Sequence, residues 1–105
     1  MKFIAVITTL GSRSDAQRMA RSLIGRGLAA CAQISEIESF YRWDGALQNE
    51  QEFRLLMKTT DENYARVEQA IRELHSYELP AIHAYAIAQI HGPYAAWLQG
   101  NCDAG

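Results

Sequence analysis

The feature that most constrains this chain is a pair of long alternating segments, Ala29 to Trp43 and Leu47 to Thr59, meeting at Asp44-Gly45. Asp-Gly between alternating runs is a strong hairpin signal. In the first segment Ala30, Ala32, Ile34, Glu36, Glu38, Phe40 and Arg42 share one parity. Cys31, Gln33, Ser35, Ile37, Ser39, Tyr41 and Trp43 share the other. The return segment carries Phe53, Leu55 and Met57 on one side and Arg54, Leu56 and Lys58 on the other. At roughly 3.3 Å per residue, strands of about 13 residues span about 43 Å, more than twice a typical strand. A body of 105 residues cannot support such a hairpin alone. Its far half, around Phe40, Tyr41 and Trp43, is an aggregation liability if left free. The expectation is therefore pairing with another copy of the chain.

The remaining elements place this hairpin in a fold. Residues 2–9 are β-branched and aromatic and read as a strand covered on both faces. Ser12 and Ser14 are N-cap candidates for a helix whose apolar stripe is Ala16, Met19, Ala20, Leu23 and Ile24. Gly27 can close that helix in a left-handed cap. Thr60-Asp61-Glu62-Asn63 opens a second helix with Tyr64, Val67, Ala70, Ile71 and Leu74 on one face. His75 to Pro80 is a loop, residues 82–90 a last strand, and Pro93 to Gln99 a short helix closed by Gly100. The order β-α-β-β-α-β is that of the ferredoxin-like α+β sandwich, with both helices on one face of a four-stranded sheet. The whole of residues 1–105 is expected to form one domain.

Composition removes several function classes. Hydrophobic residues make up 49% and charged residues 21%, with net charge −2. Those values exclude disordered and collagen-like chains. The mild acidity argues against a nucleic-acid partner, which needs many Lys and Arg to neutralise phosphates. The third strand also lacks the aromatic pattern of RNA-recognition sheets. No apolar run approaches the roughly 18 residues of a membrane span, so no membrane partner is expected. Cys31 and Cys102 have no metal-finger or staple spacing. The expectation is free thiols in a reducing compartment, most simply the cytoplasm.

Four blocks then occur in order: Gly27-Leu28-Ala29-Ala30-Cys31-Ala32, Tyr41-Arg42-Trp43-Asp44-Gly45, Lys58-Thr59-Thr60, and Glu73-Leu74-His75-Ser76-Tyr77-Glu78-Leu79-Pro80. Together they resemble the CutA family of divalent-cation-tolerance proteins, over nearly the whole chain. The resemblance implies a homotrimer of ferredoxin-like subunits whose long hairpins pair, similar in architecture to PII signalling proteins. It also implies a part in tolerance or response to divalent metal ions, with copper the metal ascribed to members.

The chain departs from that family at places relevant to metal. Ser76 stands where His-Pro-Tyr-Glu is usual, and Ala81 where a Glu commonly follows the proline. Thr8 and Leu74 stand where some members carry a Cys and a second His. A thiolate and an imidazole are ligands that give copper its affinity.

His75 is the foremost metal candidate, at a helix end beside Tyr77 and Glu78; the alternative is a His that caps helix carbonyls. Cys31 is a lesser metal candidate, set against a buried Cys acting as a small hydrophobe. Tyr41, Trp43 and Tyr77 are candidates to line a ligand cleft between subunits, or to anchor the trimer. Lys58 and Glu52 on the third strand and Glu78 in the loop are expected to place charges in that cleft. His83 is expected as a core or interface histidine and His91 as a loop residue. No nucleophile elbow, metalloprotease helix or phosphate-binding glycine loop occurs, so no catalytic residue is assigned and a non-enzymatic role is favoured. The alternatives to a metal-tolerance trimer are a PII-like small-ligand sensor, an interaction hub, or an enzyme acting at the intersubunit cleft.

Overall fold

A computed structural model of the chain describes residues 2–102; Met1 and residues 103–105, the expected ends of the domain, lie outside them. The elements are β1 (Phe3–Leu10), α1 (Arg13–Gly25), β2 (Cys31–Trp43), β3 (Ala46–Thr60), α2 (Tyr64–Leu74), β4 (Ile82–Ala86) and α3 (Gly92–Gly100). The four strands form one antiparallel sheet in the order β2-β3-β1-β4. This is the expected ferredoxin-like arrangement, with the continuous apolar strand β1 in the interior.

The core lies between one sheet face and the two long helices. Val6, Leu10, Leu55 and Met57 from the sheet meet Met19 and Leu23 of α1 and Val67 and Ile71 of α2. The opposite face is more open: Ser35, Arg54, His83 and Tyr85 are exposed there. His83 is therefore not a core residue; its ring meets that of Tyr85 edge to face at 5.2 Å. Ile24 and Leu74, at the C-terminal ends of α1 and α2, also stay outside the core, each 40% exposed.

Local chemistry sets the element ends. The Ser12 hydroxyl accepts the Asp15 N–H at 3.1 Å and caps α1. At the other end Leu28 N–H reaches Leu23 O and Gly27 N–H reaches Ile24 O, both at 3.0 Å. This is a Schellman closure around Gly27 at φ 73°. It draws Leu28 and Ala29 into the core, so β2 starts at Cys31 instead of Ala29. A single 3-10 turn, Asp61–Asn63, precedes α2. Asn63 is buried and donates to Thr59 Oγ1, which donates to Leu28 O, tying three elements together.

The last strand is shorter than expected. Ile87 N–H bonds Phe3 O, and there β1 ends. Residues 87–90, apolar except for Gln89, have no further strand to pair with among the described residues, and the chain turns out to α3. His91 occupies the N-cap position of α3 and Pro93 its first turn. α3 packs along β3, burying Leu98.

The hairpin runs in register from Cys31↔Lys58 to Trp43↔Ala46. Its tip is a two-residue turn with φ 51° at Asp44 and 76° at Gly45, the positive pair of a type I′ turn. The seven pairs from Ile37↔Glu52 outward extend roughly 23 Å past the helix-covered core. Arg13 braces their base, lying over the Phe53 ring and pairing with Glu36.

Candidate functional site

Where the hairpin leaves the body, the loop after α2 folds back against it. His75 fixes this loop. Its Nδ1 accepts the Tyr77 N–H at 3.0 Å, so the ring proton sits on Nε2, which donates to Thr9 O at 2.8 Å. Tyr77 is thereby directed onto the sheet, where its hydroxyl donates to Glu52 Oε2 at 2.9 Å. The hydroxyl passes over Gly11, where a Cβ would stand 3.3 Å away. Burial, and then the bond to Glu52 with its negative charge, push the Tyr77 hydroxyl pKa well above the usual phenol range. Tyr41 is raised in the same direction, by loss of water and by its hydrogen bond to Glu50.

The result is a cleft of about 950 Å³ between the outer hairpin and loop 76–81. Thr9, Glu38, Ser39, Phe40, Tyr41, Trp43, Gln48, Glu50 and Glu52 line it from the sheet; Ser76, Tyr77, Glu78, Leu79 and Ala81 line it from the loop. Of the residues singled out in the sequence, Tyr41, Trp43, Tyr77, Glu78 and Glu52 are brought together.

Lys58 does not line this cleft of the single chain. It shares a sheet face with Glu52 but lies six residues along β3, roughly 20 Å away. There its Nζ donates to the Tyr94 hydroxyl of α3 at 3.3 Å. Cys31 sits directly opposite Lys58, half-buried, far from the hairpin tip. Cys102 is half-buried too, its Sγ 3.7 Å from Thr59 Oγ1, and both thiols are free.

Glu50 and Gln48 were not singled out in the sequence. The signal was present: they share the parity of Glu52 and stand opposite Ser39 and Tyr41. Thr9 left no such signal, because its part is a backbone carbonyl reached by His75 from 66 residues away.

The metal candidates do not converge. Both ring nitrogens of His75 are engaged by backbone groups, leaving no free lone pair for an ion. Among the described residues no three His, Cys, Asp or Glu side chains are grouped to hold a metal. The residues present therefore do not form a metal centre within one chain.

An antiparallel four-stranded sheet with two helices on one face and an overlong hairpin on its edge defines the ferredoxin-like class of small α+β proteins. Within that class the match is specific. The family model of the CutA1 divalent ion tolerance protein covers residues 4–101. A divalent-cation tolerance protein CutA of Thermus thermophilus is 36% identical over 97 residues, covering 91% of this chain and 94% of its own. The solved structure of CutA from Synechococcus elongatus superimposes with a TM-score of 0.94 at 31% identity, covering 97% of this chain and 91% of that one. The periplasmic CutA of Archaeoglobus fulgidus gives 0.92 at 31% identity, covering 94% and 97%. The chain belongs to the CutA1 divalent ion tolerance family.

Proposed function

We propose that this protein acts in the response to divalent metal ions as a homotrimer, and that it does so by binding a small ligand in the cleft between hairpin and loop. The observation that carries this reading is the cleft itself. Tyr41, Trp43 and Tyr77 converge there with carboxylates, over a loop pinned by His75 and by the Tyr77–Glu52 bond. Aromatic walls with a few oriented polar groups are the usual makeup of a small-molecule site. The trimer is supported by β2, an edge strand of 13 residues with unpaired backbone along one side. This is the behaviour of a ligand sensor of the PII kind.

Copper held at the His75 loop is the competing reading. It requires the imidazole to give up Thr9 O or the Tyr77 N–H and to find further ligands outside the chain. Calorimetric titration with copper(II), run beside His75→Ala, decides between the two. Weak binding that the substitution leaves unchanged is expected. Submicromolar binding abolished by the substitution makes His75 a ligand and overturns this reading.

The cytoplasm is our proposed location, on the strength of two free thiols in so small a chain. Fractionation of source cells tests it, since the Archaeoglobus relative is named periplasmic.

A further inference from the structure

The cleft has a one-sided chemistry. Among the described residues Glu38, Glu50, Glu52 and Glu78 line it, and no Lys, Arg or His does. Neither ion pair formed among the described residues, Arg13–Glu36 and Arg18–Asp15, involves these carboxylates. Glu52 is only 7% exposed, so its carboxylate is withdrawn from water with a phenol as its neutral partner. Glu50 follows at two residues along the same sheet face, about 7 Å away, and stands diagonal to Tyr41 across the β2–β3 pair. Withdrawing the Glu52 carboxylate from water without a cation beside it is costly, whereas Glu50 is exposed at the mouth. The Tyr77 phenol fills one of about four lone-pair positions on the Glu52 carboxylate, so acceptors remain for a donor carrying positive charge.

The form of the cation follows from the walls and the spacing. A bare divalent ion takes four to eight ligands at close range, and these side chains are not grouped to supply even three. The faces of Tyr41 and Trp43, by contrast, attract a diffuse cation and cover an apolar body. We propose that the cleft binds a small organic cation, an ammonium or guanidinium group on an apolar body. The head lies against Glu50 and Glu52, and the body against Tyr41 and Trp43. This inference rests on the cleft being the ligand site, as proposed above.

The chain has two tryptophans, so Trp97→Phe leaves Trp43 as the single indole reporter in the assembled protein. Its emission is followed during titration with isoamylammonium, isoamyl alcohol, isovalerate and zinc(II) at matched ionic strength. The ammonium is expected to saturate the signal at concentrations at least about tenfold below the alcohol, with isovalerate silent. Glu52→Gln, which still accepts the Tyr77 hydrogen bond, is expected to weaken the ammonium about tenfold with circular dichroism unchanged. Glu50→Gln provides the same readout should Glu52→Gln fail to fold. Equal responses to ammonium and alcohol, or a response to zinc alone, overturn the organic cation and leave the cleft a ligand site. Silence of Trp43 toward all four probes overturns both.

Discussion

Tyr77 joins the 75–81 loop to the sheet through a phenol–carboxylate bond, and that bond gives the protein a specific alkaline weakness. The folded-state pKa of Tyr77 is raised, by burial first and by Glu52 second. The unfolded chain releases this proton near pH 10, while the folded chain holds it. Above that pH the unfolded state binds fewer protons, so this contribution is complete below about pH 10 and stability falls as the pH rises further. Tyr77→Phe should lose about 1 kcal/mol at neutral pH and flatten the decline above pH 10. Urea midpoints measured across that range at fixed protein concentration test both effects. Thr8 offers the opposite case. Its hydroxyl is fully buried and has no hydrogen-bond partner. Replacing an unsatisfied buried hydroxyl by a methyl of the same shape removes a penalty of about 1–3 kcal/mol. Thr8→Val should therefore raise the urea midpoint with an unchanged slope; a lower midpoint shows that the hydroxyl has a partner in solution. At this scale the sequence revealed residue types better than residue roles. Tyr41, Trp43 and Tyr77 declared themselves as aromatics on the face of a long hairpin and its neighbouring loop. Lys58 shares a face with Glu52 but not this cleft, because parity reports the face of a strand and not the distance along it. His75 was recognisable as a helix-end histidine, whereas its acceptor, the Thr9 carbonyl, is a backbone atom distant in sequence.

Elements in this chain are bounded by left-handed residues and by the length of their partners. Gly27 closes α1 and Asp44-Gly45 turns the hairpin, and both were legible because positive φ selects a narrow set of residue types. The end of β4 was not. Ile87 to Ile90 look like strand, but a strand needs a partner, and β1 runs out at Phe3. A limit imposed by another element is invisible in a local window. The turn gives a prediction at this scale. Gly45 has open space around its Cα, so a side chain there meets no neighbour and any cost comes from the backbone at φ 76°. Gly45→Ala should destabilise the hairpin by about 1 kcal/mol. Hydrogen exchange should show the loss concentrated in the seven pairs beyond the core, with amides of β1 nearly unchanged. Uniform acceleration through the sheet instead means that the hairpin and the core unfold as one unit.

The molecule is drawn out along its hairpin, measuring 45 × 25 × 21 Å. Its radius of gyration is 14.3 Å, against about 13 Å for a compact chain of this length. That excess comes from strands lacking helix cover, and large apolar side chains stand exposed on them. Phe40 is 65% exposed and Leu47 76%, and the pairing of Phe40 with Asn49 places both on the same face near the tip. Tyr41 and Trp43 occupy the other face, toward the cleft. An exposed edge strand with apolar groups on both faces is a template for association, and soluble proteins normally blunt such edges with charge or a covering element. Arg42 and Glu38 flank Phe40 on that face, yet among the described residues no element covers Phe40 or Leu47, which is why we propose that a neighbouring copy covers them. Phe40→Glu with Leu47→Glu should leave the helix-covered core intact, since neither side chain belongs to it. The same pair should set like charges against the neighbour, weakening assembly by at least about tenfold. Sedimentation velocity should show the parent chain as a trimer at micromolar concentration and the double variant shifted to monomer, with the helical circular dichroism signal retained. A variant that still sediments as a trimer places the assembly contacts on the open sheet face instead, around Ser35, Arg54 and Tyr85, and leaves the hairpin tip free for another partner.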